Sequence, residues 1–202
     1  MMGKMDFMLN VSLEVPEGQE LISGLNGQVV LKGKDLTLYG IELDKLIRKF
    51  ERSQNFNLVD LGAVMFAGPA GLAITKGGAY ANILVSSYGE TSRVKELMSN
   101  WEIENGRIIL NDLAFSTEEN RVAATGWIDL ASDSLDITIA VVDANGCSII
   151  DQRMYGSIDE PEKSQIRFLE TIIAPLTNLF QAALGSNCEV FYEGSVAHPE
   201  KK

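Results

Sequence analysis

The run Leu135-Asp136-Ile137-Thr138-Ile139-Ala140-Val141-Val142 decides the fold. Leu135, Ile137, Ile139 and Val141 alternate with Asp136, Thr138 and Ala140, the period-two signature of a strand with one buried face. Working outward, further strand candidates run from Arg121 to Leu130, from Trp101 to Phe115 and from Cys147 to Tyr155. The joints carry Asn105-Gly106, Glu118-Glu119-Asn120, Ser132-Asp133-Ser134 and Asn145-Gly146. Turns this short join antiparallel neighbours, whereas parallel strands need a crossover of a dozen residues or more. The second half therefore reads as an antiparallel meander.

The first half opens in the same way. Phe7, Leu9, Val11, Leu13 and Val15 alternate with Met8, Asn10, Ser12 and Glu14, and Pro16-Glu17-Gly18 punctuates the run. Val29 and Leu31, then Leu36 and Leu38, continue the alternation around Gly33-Lys34-Asp35. Either two short strands across a turn or one bulged strand fits that spacing. After Gly40 the period changes. Leu43, Leu46, Ile47 and Phe50 fall on one face of a helix, with Asp44 and Arg48 one turn apart. From Asn57 to about Leu84 the small, apolar sequence predicts a helix broken at Gly68-Pro69. Val94, Leu97 and Met98 predict a further short helix. Another is expected after Pro161, with Ile166, Leu169, Ile173, Leu176 and Phe180 on one face, kinked at Pro175 and ended by Gly185. A last strand is expected from Val190 to Val196. The fold class expected is α+β: a curved antiparallel β-sheet with several helices packed on its apolar face, one domain over residues 1–202.

Asn26-Gly27-Gln28-Val29-Val30-Leu31 is echoed by Asn105-Gly106-Arg107-Ile108-Ile109-Leu110, with a weaker copy from Asn145-Gly146. Chance reuse of hairpin turns and a stacked repetitive sheet both account for the echo.

Composition narrows the function. The 202 residues are 46% hydrophobic and 22% charged, the make-up of a folded globular protein. Seventeen Lys and Arg against 28 Asp and Glu leave a net charge of −11, which repels a polyanion. Nucleic acid is not expected as a partner. The one histidine, His198, lies in a terminal tail expected to fray, a poor place for a catalytic imidazole. One histidine and two distant cysteines do not make a metal site by spacing, and no phosphate-cradling glycine loop occurs. No enzyme activity, metal or cofactor is expected. The start, Met1-Met2-Gly3-Lys4-Met5, lacks a signal-peptide core and resembles an expression start joined to an excised segment. The uncharged stretch from Leu61 to Thr75 is too short to span a bilayer. Asn10-Val11-Ser12 matches a glycosylation sequon, on a three-residue pattern alone.

Cys147 and Cys188 admit two readings. They are two buried thiols, or a disulfide whose 41-position span would stabilise by up to about 4 kcal/mol. The Leu58–Leu84 stretch likewise reads as a helical hairpin buried on a sheet or as a lipid-touching segment, although it lacks a Lys/Arg-rich polar face. If helices cover the apolar sheet face only in part, the remainder is an open surface able to take an acyl chain. Asp35, Asp44 and Asp60 beside turns and helix starts read as caps and solvated charges rather than acid–base pairs.

Three blocks resemble the C-terminal region of AsmA-family proteins. They are Gly33-Lys34-Asp35-Leu36-Thr37-Leu38-Tyr39-Gly40-Ile41-Glu42-Leu43-Asp44-Lys45; Asn55-Phe56-Asn57-Leu58-Val59-Asp60-Leu61-Gly62 with Ala67–Gly77; and Gly146-Cys147 with Cys188–Pro199. The resemblance implies a periplasmic C-terminal region of a protein anchored in the bacterial inner membrane by an N-terminal helix not included in this chain. It further implies a part in outer-membrane assembly and lipid handling along an apolar β-groove. An oxidising periplasm favours the Cys147–Cys188 disulfide. Lipid acyl chains and envelope proteins are the partners expected, with membrane contact through that anchor. The lipid-facing candidates are Val29, Leu31, Leu36, Leu38, Val122, Leu130, Ile137 and Ile139. Two rivals are a structural or protein-interaction cap whose own helices cover the face, and a hydrolase working with carboxylates alone.

Overall fold

A computed structural model describes residues 2–15, 17–18, 20–39, 42–50, 58–67, 91–168 and 188–199. Among the described residues nine strands form one antiparallel sheet: β1 (Met2–Leu13), β2 (Leu25–Tyr39), β3 (Thr91–Glu104), β4 (Arg107–Ser116), β5 (Arg121–Asp129), β6 (Ser134–Val142), β7 (Ser148–Ser157), β8 (Pro161–Lys163) and β9 (Arg167–Phe168). The first eight lie side by side in chain order, and β9 also pairs with β7. The expected hairpins form. At β3–β4 both Asn105 (φ 52°) and Gly106 (φ 80°) take the left-handed backbone that a tight two-residue turn requires.

The α+β expectation, with several helices on the sheet, is overturned. The described residues are mostly antiparallel sheet, with two short helices, α1 (Leu43–Phe50) and α2 (Leu58–Ala67), and a 3-10 turn at Leu21–Gly24. Val94 and Leu97, expected on a helix, lie in β3. The cause is a kink shared by neighbouring strands. Asp35 in β2 has φ 50°, and beside it the buried positions step by three, Gly33 to Leu36 and Leu97 to Val94. A kinked strand thus imitates helical spacing. The same observation chooses one bulged strand for Val29–Leu38. The chain after Pro161 forms β8 and β9 rather than a helix as far as Phe168; Leu169, Ile173, Leu176, Phe180 and Gly185 lie outside the described residues. Val190–Val196 is not a strand, and only Val190 makes a bridge, to Cys147. Asn26-Gly27 lies inside β2 rather than in a hairpin turn. Lys4 and Met5 pair with Lys34 and Gly33 across β1 and β2.

The main core fills one face of the sheet. Leu97, Phe115, Val122 and Val141 form a row across β3 to β6, all buried, and Ile150 of β7 closes it. Leu58, Leu61, Gly62, Met65 and Phe66 turn one stripe of α2 toward these strands, and α2 touches β3 through β7. Gly62 permits the approach: a Cβ there would sit 2.2 Å from Ile139 Cδ1. In α1, Leu43 and Ile47 join the core, and the Leu43 N–H donates to Ser92 Oγ. Asp44 accepts from the Thr117 hydroxyl and from Asn120 Nδ2, while Arg48 pairs with Glu119 and, at 3.8 Å, with Glu42. The helix is therefore fastened to the β4–β5 turn. The predicted helix from Asn57 is present as α2; its expected break at Gly68-Pro69 and the stretch onward to Leu84 lie outside the described residues.

Candidate functional site: an open apolar row on the first strand

Cross-strand register fixes which side chains share a face. Phe7 stands opposite Leu31, Leu9 opposite Val29, Val11 opposite Gly27 and Met5 opposite Gly33. Leu31 in turn faces Ser99, and Val29 faces Trp101. Ser99, Leu113, Ala124 and Ile139 continue that row into the core beneath α2. The apolar residues of β1 therefore extend the core face of the sheet, beyond the strands that α2 touches. They are open to solvent: Phe7 is 64% exposed, Leu9 60%, Leu13 50%, Met5 48% and Val11 42%. Val29, Leu31 and Trp101 are half-buried and form a step between the open row and the sealed core. Apolar side chains in contiguous exposed rows, unlike scattered ones, mark surfaces that bind something.

The eight lipid-facing candidates occupy this face in two conditions. Leu36, Leu38, Val122, Ile137 and Ile139 are buried in the core. Leu31 and Leu130 are half-buried against it, and Val29 is half-buried beside Leu9. Only Val29 and Leu31 border the open row. Sequence reasoning identified the alternation of Phe7 to Val15 but assigned it to a buried face.

The opposite face is polar and carries a second structure. Gln28 Nε2 donates to Asn100 Oδ1 at 2.9 Å, Arg107 lies 4.2 Å from the centre of the Trp127 ring, and Arg153 makes a two-pronged pair with Asp136. Hydrogen bonding to Arg153 holds the Asp136 carboxyl below its usual range. Residues 188–199 run across this face, where a fraying tail was expected. Ala114, Ala123 and Ala140 align across β4, β5 and β6, leaving a shallow platform on which Tyr192 and Val196 pack. That row of small residues was the sequence sign of a docked segment.

Several attachments hold it, among them a bond from the Ser195 N–H to Asp112 Oδ2 at 3.0 Å. Cys147 and Cys188 form a disulfide. The Gly146 carbonyl accepts from the Phe191 and Tyr192 N–H groups at 2.9 and 3.1 Å. Tyr192 Oη donates to Asp112 Oδ1 at 2.6 Å and accepts from the Val196 N–H at 3.0 Å. Arg121 donates through Nη1 to the Val196 carbonyl and through Nη2 to the Asp143 carbonyl, with its guanidinium over the Tyr192 ring. Burial, and then the bond to Asp112, pushes the Tyr192 phenol well above its ordinary range, so it remains a donor at neutral pH.

No protein-family model, curated protein or solved structure matches the chain. Its chemistry is thus read from its own residues. Among the described residues no group of three or more His, Cys, Asp or Glu is placed to hold a metal ion, and no helix is long and apolar enough to cross a membrane. What the open row can do is remove apolar surface from water, at about 25 cal/mol per Å².

Proposed function

We propose that this chain is a non-enzymatic periplasmic domain, similar to the C-terminal region of AsmA-family proteins, that handles phospholipid acyl chains at the cell envelope during outer-membrane assembly. The observation that carries the reading is the exposed row Met5, Phe7, Leu9, Val11 and Leu13, continuous with the core face of the sheet. From Met5 to Leu13 the strand rises roughly 27 Å at ~3.4 Å per residue, so most of an acyl chain fits along it. Each methylene moved from water onto the row contributes about 0.8 kcal/mol before ordering costs, and no nucleophile takes part. The disulfide supports an oxidising compartment.

A second reading, an interaction cap that presents its polar surface to an envelope protein, is favoured by the burial of Leu36, Leu38, Val122, Ile137 and Ile139. Lipid extraction separates the two. Protein purified from bacterial envelopes is expected to carry near-stoichiometric phospholipid by mass spectrometry, and the Phe7→Asp/Leu9→Asp variant is expected to lose it. Wild-type protein free of lipid would exclude the acyl-chain reading and leave the cap.

A further inference from the structure

The open row lies on a strand that is also an unpaired edge. β1 ends the strand order of the sheet, and eleven of its twelve residues have a register partner, on one side only, among the described residues. Backbone direction along it follows from one hydrogen bond. The Glu14 N–H donates to the Gly24 carbonyl at 3.0 Å, in the same register as Leu13 opposite Leu25. In an antiparallel ladder alternate residues turn both backbone groups to the same neighbour. Even-numbered residues from Lys4 to Glu14 therefore bond β2. Met5, Phe7, Leu9, Val11 and Leu13 point their N–H and C=O groups out of the free edge. A long edge strand with an apolar row of this kind templates another strand.

We propose that the edge pairs with β1 of a second copy of this chain, antiparallel, about a two-fold axis through Leu9. The sequence is self-complementary in that register. Leu9 meets Leu9, Phe7 meets Val11 and Met5 meets Leu13 on the apolar face. Lys4 meets Glu14, Asp6 meets Ser12 and Met8 meets Asn10 on the other. Shifting the axis to Met8 takes Glu14 away from Lys4, and shifting it to Asn10 sets Asp6 against Glu14, a like-charge pair. Axes between residues fail, because they oppose an outward-pointing residue with one already bonded to β2. Only the Leu9 axis joins apolar to apolar and places two Lys4–Glu14 pairs, one on each side of the axis. The two sheets become one, and the apolar rows of both copies lie together on a single face. The pairing does not depend on lipid.

Single cysteines locate the axis. The chain has two cysteines and both are in the disulfide, so an introduced thiol is the one available for oxidation. Residues directly opposite in a hydrogen-bonded pair have Cα atoms about 5.5 Å apart, within disulfide reach. Mild oxidation of lipid-free Leu9→Cys protein is expected to give a covalent dimer on a non-reducing gel. Val11→Cys, whose partner is Phe7, stays monomeric. In sedimentation, Glu14→Lys is expected to weaken the dimer about tenfold, and adding Lys4→Glu to restore it. A monomer at every concentration, equal cross-linking at both positions, or no rescue by the double charge swap would overturn the proposal. Both cysteine sites are exposed, so neither replacement disturbs the core.

Discussion

Replacing Cys147 and Cys188 together by serine is expected to lower unfolding stability by about 4 kcal/mol on the chain-entropy account. The two residues are 41 positions apart, and the bridge removes that loop from the unfolded ensemble. The loss has a particular place in the structure. Residues 188–199 cross the polar face away from the main core, held otherwise by the Tyr192 and Ser195 bonds to Asp112, the Arg121 contacts and two amides on Gly146. Without the covalent tether these weaker attachments must offset the ordering of the segment by themselves. The Phe191 and Tyr192 amides should exchange with deuterium much faster than the amides of β5 and β6. Wild-type protein denatured without reductant should show no reactive thiol. Two reactive thiols in that sample, or a variant as stable as wild type, would refute this account of the strap.

On the other face, Phe115→Ala is expected to cost about 3–5 kcal/mol, read as a lower urea midpoint with an unchanged slope. Phe115 is wholly buried at the middle of the Leu97–Phe115–Val122–Val141 row. Its ring centre lies 5.7 Å from that of Phe66 on α2, at a tilt of 53°. Truncation removes both the sheet-side and helix-side contacts, and neither neighbour can collapse into the space without shifting the helix. A loss below about 1 kcal/mol would mean that α2 does not rest on this row.

These two sites mark the division between what residue patterns convey and what packing adds. The meander from Trp101 to Tyr155 was legible because its turns are short and its strands alternate. The helix at Leu43–Phe50 was legible for the same kind of reason. Three errors have a common origin: local spacing was read without its neighbours. Val94 and Leu97 imitate a helix because β2 and β3 kink together at Asp35, a relation between strands that no single segment displays. Val190–Val196 resembles a strand, yet its partners are the alanine platform and the Arg121 guanidinium rather than a ladder. The alternation of β1 was recognised, but periodicity states which residues share a face and not whether anything covers it. Whether a face is covered depends on where α2 lies, and α2 touches β3 to β7. Hence the sealed candidates Leu36, Leu38, Val122, Ile137 and Ile139 were grouped with Val29 and Leu31, which border open surface.

The central claim, that the open apolar row receives acyl chains, can be tested with the two tryptophans already present. Trp101 lies on the row with Val29 and Leu9, whereas Trp127 lies on the polar face under Arg107. Phospholipid with brominated acyl chains quenches tryptophan only on contact. It should quench the fluorescence of Trp127→Phe protein, which reports Trp101 alone, and leave that of Trp101→Phe protein unchanged. Quenching of neither tryptophan, or of Trp127 in preference to Trp101, would contradict the account.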